Sequence, residues 1–125
     1  MRLLLIEPSN LLRERLAAML ASLGCAEIIE AISVEEAAQF ILVLRPEIVI
    51  VDAGLPDRGA LDALAWAREK CPAACLVVVS VHCAEPYRKR WLQAGADDFF
   101  DLSAQIDGLV KRVRHCCRTH FCSAL

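Results

Sequence analysis

The chain is predicted to adopt an α/β fold built on one doubly wound parallel sheet. Short apolar runs alternate five times with amphipathic stretches along the 125 residues, the rhythm of repeated strand–helix units. The runs Leu3-Leu4-Leu5-Ile6, Ile48-Val49-Ile50-Val51 and Leu76-Val77-Val78-Val79 are apolar throughout instead of alternating, as strands buried on both faces require. A hydrophobic content of 57% suits a sheet covered by helices on both sides.

Each element has its own local reason. Residues 2–6 read as the first strand. Residues 9–23 form a helix with Leu12, Leu16, Met19, Leu20 and Leu23 on one face and Gly24 as its stop. A second strand follows at about 26–30. Ser33-Val34-Glu35-Glu36 is a capping-box pattern that opens a helix running to Leu44, ahead of Arg45-Pro46. Strand 47–51 leads into a loop with Pro56 and Gly59, and a helix over about 60–70 stops before Pro72. Strand 75–80, a helix over 85–94 closed by Gly95, a short strand at 98–101 and a last helix from about Ser103 to Cys117 complete the series. Right-handed crossovers leave few topologies for five such units. The expected one is the flavodoxin-like (βα)5 order 2-1-3-4-5, whose ligand crevice lies at the carboxyl ends of strands 1 and 3.

Composition narrows the function. A chain of 125 residues supports one domain, expected over 1–119 with a short tail at 120–125. Net charge is −2, so no global field draws nucleic acid or a membrane surface. Arg88, Lys89, Arg90, Lys111, Arg112, Arg114 and Arg118 are interspersed with acids and read as solvated helix surface. The first apolar run is too short for an export signal, and no run approaches membrane-spanning length; a cytoplasmic location is expected. Seven cysteines are then expected to be reduced, unliganded thiols. The tail His115-Cys116-Cys117-Arg118-Thr119-His120-Phe121-Cys122 resembles a ligand cluster but matches no strong zinc spacing.

Polar groups stand at three strand ends: Glu7, Asp52 and Ser80. A carboxylate at the tip of a buried strand is costly unless it opens onto a crevice and binds something. Two carboxylates and a hydroxyl at successive strand ends suit a divalent cation and a phosphoryl group.

Leu4-Leu5-Ile6-Glu7, Arg45 through Asp52, Leu55-Pro56-Asp57-Arg58-Gly59, Val78-Val79-Ser80 and Gly95-Ala96-Asp97-Asp98-Phe99 together resemble the receiver domain of bacterial two-component response regulators, over essentially the whole chain. The resemblance implies that Asp52 holds the phosphoacceptor position. Gly54 stands where a backbone carbonyl helps bind Mg²⁺, and Glu7 matches the first of two metal-gathering acids. Ser80 takes the place of the hydroxyl that senses the phosphoryl group, and Phe99 that of the aromatic switch. A histidine kinase or phosphotransfer protein upstream and a signalling protein downstream are the partners implied. An interaction face on the fourth helix, fifth strand and fifth helix is implied as well, with Tyr87, Arg88, Arg90, Trp91, Phe100 and Asp101 as its candidates. That face is the family's usual homodimer surface.

Two positions depart from the family. The second acid is Pro8, which has neither a side-chain oxygen nor a backbone N–H. The lysine position, at the family's interval from Ser80, is Leu102, followed by Ser103 where the family has proline. Each lost charge-assisted contact costs roughly 1.5–3 kcal/mol, together roughly a 10²–10⁴-fold loss if additive. Glu7, one methylene longer than aspartate, can reach the metal directly as a partial rescue. Plainer roles stand beside these: Glu7 as a helix cap, Ser80 as an ordinary strand-end hydroxyl, Asp52 as a relic, Phe99 as core.

The expected function is a receiver acting by protein–protein contact, with at best weak Mg²⁺ binding and no enzymatic activity beyond self-phosphorylation and dephosphorylation. The alternatives are a working phosphoacceptor at Asp52 and, in a different class, a metal or redox sensor using His115, Cys116, His120 and Cys122.

Overall fold

The apolar runs form the buried strands, and the first two helices begin where a serine hydroxyl caps them. A computed structural model describes residues 1–24, 26–81 and 85–124, without the side chains of residues 85, 86 and 120–124. Its strands are β1 (Arg2–Ile6), β2 (Glu27–Ala31), β3 (Ile48–Asp52), β4 (Cys75–Ser80) and β5 (Asp98–Asp101). They alternate with α1 (Asn10–Ala21), α2 (Val34–Leu44), α3 (Gly59–Lys70), α4 (Glu85–Gln93) and α5 (Ile106–Ala124). All neighbouring strands are parallel, in the order β2-β1-β3-β4-β5, the order expected from sequence.

The caps behave as local chemistry dictates. Ser9 and Ser33 hydroxyls accept from the backbone N–H groups of Leu12 and Glu36, satisfying donors that a helix start leaves open. Side chains on the strands alternate between two cores. Leu4, Ile6, Val49, Val51, Leu76, Val78 and Phe99 pack under α2, α3 and α4. Leu3, Leu5, Ile48, Ile50, Val77, Val79 and Phe100 pack under α1 and α5.

That alternation corrects one expectation. Phe100 is 8% exposed and belongs to the α1/α5 core instead of a partner face, because it follows the opposite-facing Phe99 in a strand of period two. Its ring lies so near Gly108 that a Cβ there would meet Phe100 Cε1 at 2.8 Å, so α5 approaches β5 closely only through a glycine. The last helix also differs from expectation at both ends. Asp101 Oδ1 accepts from the Ser103 N–H at 3.0 Å and from Ser103 Oγ at 2.6 Å, which holds 101–105 as a turn and delays α5 to Ile106. No glycine or proline follows Cys117, and α5 continues to Ala124, through most of the expected tail. Finally, Cys117 is disulfide-bonded while Cys71, Cys75 and Cys116 are free, so the expectation of seven reduced thiols does not hold.

Candidate functional site

The crevice forms where β1 and β3, adjacent in the sheet, end and send their chains to opposite sides. Asp52 ends β3 and pairs in register with Val79, so Ser80, the last residue of β4, lies one step beyond it. Glu7 follows β1 directly and donates its N–H to the Ala31 carbonyl at 3.0 Å. The fold therefore brings Glu7, Asp52 and Ser80 to the same edge of three adjacent strands.

Glu7 is 1% exposed, the one fully buried charged side chain among the described residues. Its Oε2 accepts from the Ser9 N–H at 3.1 Å, so it does serve the start of α1. Its Oε1 finds no hydrogen-bond donor. Burial pushes the carboxyl up to about 8, reinforced by a hydrogen bond with Asp52 and by the Asp52 charge, while the Ser9 N–H and Arg13 pull the other way. The two observations fit together: between two ionised carboxylates Oε1 has nothing to accept, whereas a protonated Glu7 donates to Asp52. A buried carboxyl beside a second one disfavours carrying two charges at once.

Asp52 is partly exposed. Its Oδ1 accepts from the Gly54 N–H at 2.6 Å, and the turn is tight enough that a Cβ on residue 54 would sit 3.1 Å from the same oxygen. A backbone donor of this kind holds the carboxylate facing the crevice. Arg13 is a neighbour that sequence reasoning missed. Its Nη1 donates to the Glu7 carbonyl at 2.9 Å, its Nη2 to Asn10 Oδ1 at 2.7 Å, and its Nε pairs with Glu30 at 3.4 Å. The only signal for it was an arginine one turn inside the helix that follows Glu7.

For a hard cation the donor set is short. Glu7 and Asp52 offer carboxylate oxygens and Gly54 a carbonyl, but Pro8 has no side-chain oxygen to add. Among the described residues no three His, Cys, Asp or Glu side chains converge as a metal site. Leu102 donates its N–H to the Ser80 carbonyl at 2.7 Å, while its side chain packs against the α1/α5 core. No cation therefore stands at that position.

The expected partner face is divided. Tyr87 is 47% exposed and Arg90 is exposed. Arg88 is held down, donating to the Phe99 carbonyl at 3.0 Å and to Asp98 Oδ1 at 3.1 Å. Trp91 packs partly buried against the α2–α4 core, where Phe99 is 3% exposed. Asp101 serves the turn before α5. Of the tail cluster, His115 is exposed and Cys116 partly buried, while the side chains of His120 and Cys122 lie outside the described residues.

Known proteins with this sequence pattern agree with the geometry. Response regulator GacA of Pseudomonas viridiflava is 29% identical over 114 residues, 90% of this chain and 53% of that protein. The virulence transcriptional regulatory protein PhoP of Shigella flexneri is 28% identical over 114 residues, 91% of this chain and 51% of that protein. The chain thus spans about half the length of the curated relatives it matches. The receiver domain of a Francisella response regulator shares the fold with a TM-score of 0.83 at 17% identity, covering 95% of this chain and 98% of that one. A LuxR-family two-component response regulator from Aurantimonas gives 0.84 at 22% identity, over 94% and 85%. Residues 3–114 match the response regulator receiver domain model, and on that match the chain belongs to the receiver domain family of two-component response regulators.

Proposed function

We propose that this receiver works chiefly as a protein-interaction module in two-component signalling, with phosphorylation of Asp52 impaired. The observation that carries the reading is the burial of Glu7 with its Oε1 left without a donor. Burial together with Asp52 raises its carboxyl, which disfavours the doubly ionised pair that would gather a divalent cation. Pro8 adds no side-chain oxygen for a cation, and the Leu102 side chain is committed to the core.

Phosphoryl transfer to a carboxylate depends on cations that neutralise the equatorial oxygens of the incoming group. Mg²⁺ favours near-octahedral oxygen coordination, which this donor set fits incompletely. The chain then has no enzymatic turnover beyond slow self-phosphorylation and dephosphorylation. Its upstream partner would be a histidine kinase or phosphotransfer protein, and its output a signalling protein docked on α4, where Tyr87 and Arg90 stay exposed. Aromatic and arginine side chains are the types enriched at such contacts. No helix among the described residues is long and apolar enough to cross a membrane.

Mg²⁺ titration by calorimetry tests the reading. The Pro8→Asp variant should bind Mg²⁺ at least about tenfold more tightly than wild type, the equivalent of one restored charge-assisted contact. Equal affinity in the two proteins would mean that Glu7 already completes the metal site, and would support a working phosphoacceptor instead.

A further inference from the structure

The amino-terminal ends of the strands, opposite the carboxylates, carry a second cluster of reactive side chains. A pocket of about 390 Å³ opens there, lined among others by Glu47, Cys75, Arg112, His115 and Cys116. Cys75 is the first residue of β4 and Cys116 lies in the second half of α5. Both are free, partly buried thiols that line this one pocket together, and each acts on the ionisation of the other. Arg112, one turn before Cys116 on α5, brings its guanidinium to the same pocket. Its Nε lies 3.8 Å from Asp98 Oδ2, too far for a hydrogen bond, and has no other hydrogen-bond partner.

We propose that Cys75 and Cys116 form a peroxide-sensitive dithiol, in which Cys116 is oxidised first and Cys75 closes a disulfide that ties β4 to α5. The two sulfurs are not equivalent. A hydrogen bond donated by the Cys75 thiol, aided by Arg112, brings Cys116 down to about 7 against the opposing effect of burial. The same hydrogen bond, with burial, pushes Cys75 up. The thiolate is the nucleophilic form, so the pair contains one attacking and one resolving sulfur.

Hydrogen peroxide is the oxidant. The Cys116 thiolate attacks one peroxide oxygen, the O–O bond breaks, hydroxide leaves with a proton as water, and Cys116 becomes a sulfenic acid. The Cys75 sulfur then attacks the Cys116 sulfur, the S–O bond breaks, and the departing hydroxide takes the Cys75 proton to form a second water. Two thiols lose two electrons and two protons, and one peroxide is reduced to two waters. The pocket gives a small oxidant access to Cys116 from solvent. The product would fasten the second half of α5, which otherwise packs on the sheet through Leu109, Val113 and Cys117. It would therefore place the α5 surface under redox control independently of Asp52.

The test uses the whole chain, fully reduced and freed of reductant. It is treated with hydrogen peroxide, blocked with iodoacetamide, digested without reductant and mapped by mass spectrometry. A Cys75–Cys116 cross-linked peptide is expected at near-stoichiometric peroxide. Before oxidation, Cys116 should be alkylated at pH 7 at least about tenfold faster than Cys71, whose thiol burial pushes up. The Cys75→Ser variant should trap Cys116 as a dimedone-reactive sulfenic acid. Cys116 left unlinked under excess peroxide in the wild-type chain, or linked to a different cysteine, would overturn the proposal whatever the variant does.

Discussion

At the carboxyl ends of the strands Glu7 and Asp52 face each other as two acids, and at the amino ends Cys75 and Cys116 face each other as two thiols. Burial and mutual hydrogen bonding act on both pairs, raising one member of each. The outcomes diverge because of what stands beside them. Arg112 helps hold Cys116 as a thiolate at the lower end. At the upper end Leu102 occupies the family's lysine position and Pro8 its second acid position, and Arg13 only partly offsets the desolvation of Glu7. At one end a carboxyl is raised where a metal site would want it ionised, and at the other a thiol is lowered toward the nucleophilic form. The strand β4 joins the two, with Cys75 at its start and Ser80 at its end.

The larger effect expected from this contrast is on stability at the acid pair. Burial pushes the Glu7 carboxyl up to about 8 in the folded chain, against 4.5 for an ordinary carboxyl. Between those values the folded state binds more protons than the unfolded one, so stability falls as pH rises through the window and levels off above it. Glu7→Gln keeps the shape and the neutral donor without the titration. It should stabilise the protein at pH 9 by on the order of a few kcal/mol relative to wild type, with little difference at pH 4, read by urea denaturation at both pH values. Parallel pH profiles for the two proteins would break the contrast at its upper end.

A smaller effect is expected at the thiol pair. The iodoacetamide rate at Cys116 should rise with pH around a midpoint of about 7, and Arg112→Gln should move that midpoint upward. The rate at pH 7 then drops by about two- to fivefold, since a partly solvated charge contributes modestly. An unmoved midpoint would assign the low value to the Cys75 hydrogen bond alone.

The two ends were unequally legible in the sequence. The strand runs, the serine caps and the acids at strand tips are local signals, and they gave the sheet order and placed Glu7, Asp52 and Ser80 together. Pro8 and Leu102 could be read as departures because their neighbours fix the alignment. The raised carboxyl of Glu7 was not legible, since it depends on how deeply that side chain is buried. Nor was the thiol pair. Cys116 seemed to belong with His115, His120 and Cys122 because they adjoin it in sequence, whereas its structural partner is Cys75, on another element. Phe100 was misplaced for a related reason: two adjacent phenylalanines in a short strand give no hint of which one faces which core. The turn at 101–105, built by Asp101 and Ser103, likewise hid inside a stretch that reads as helix.

Intact mass after incubation with acetyl phosphate and Mg²⁺ tests the central claim most directly. It is measured on wild type, on Asp52→Asn, and on a Pro8→Asp/Leu102→Lys double variant as the repaired site. A phosphoryl adduct should form roughly 10²–10⁴-fold faster in the double variant than in wild type and never in Asp52→Asn. Wild type that phosphorylates on Asp52 as fast as the double variant would contradict that claim, and would make this chain an ordinary phosphoacceptor.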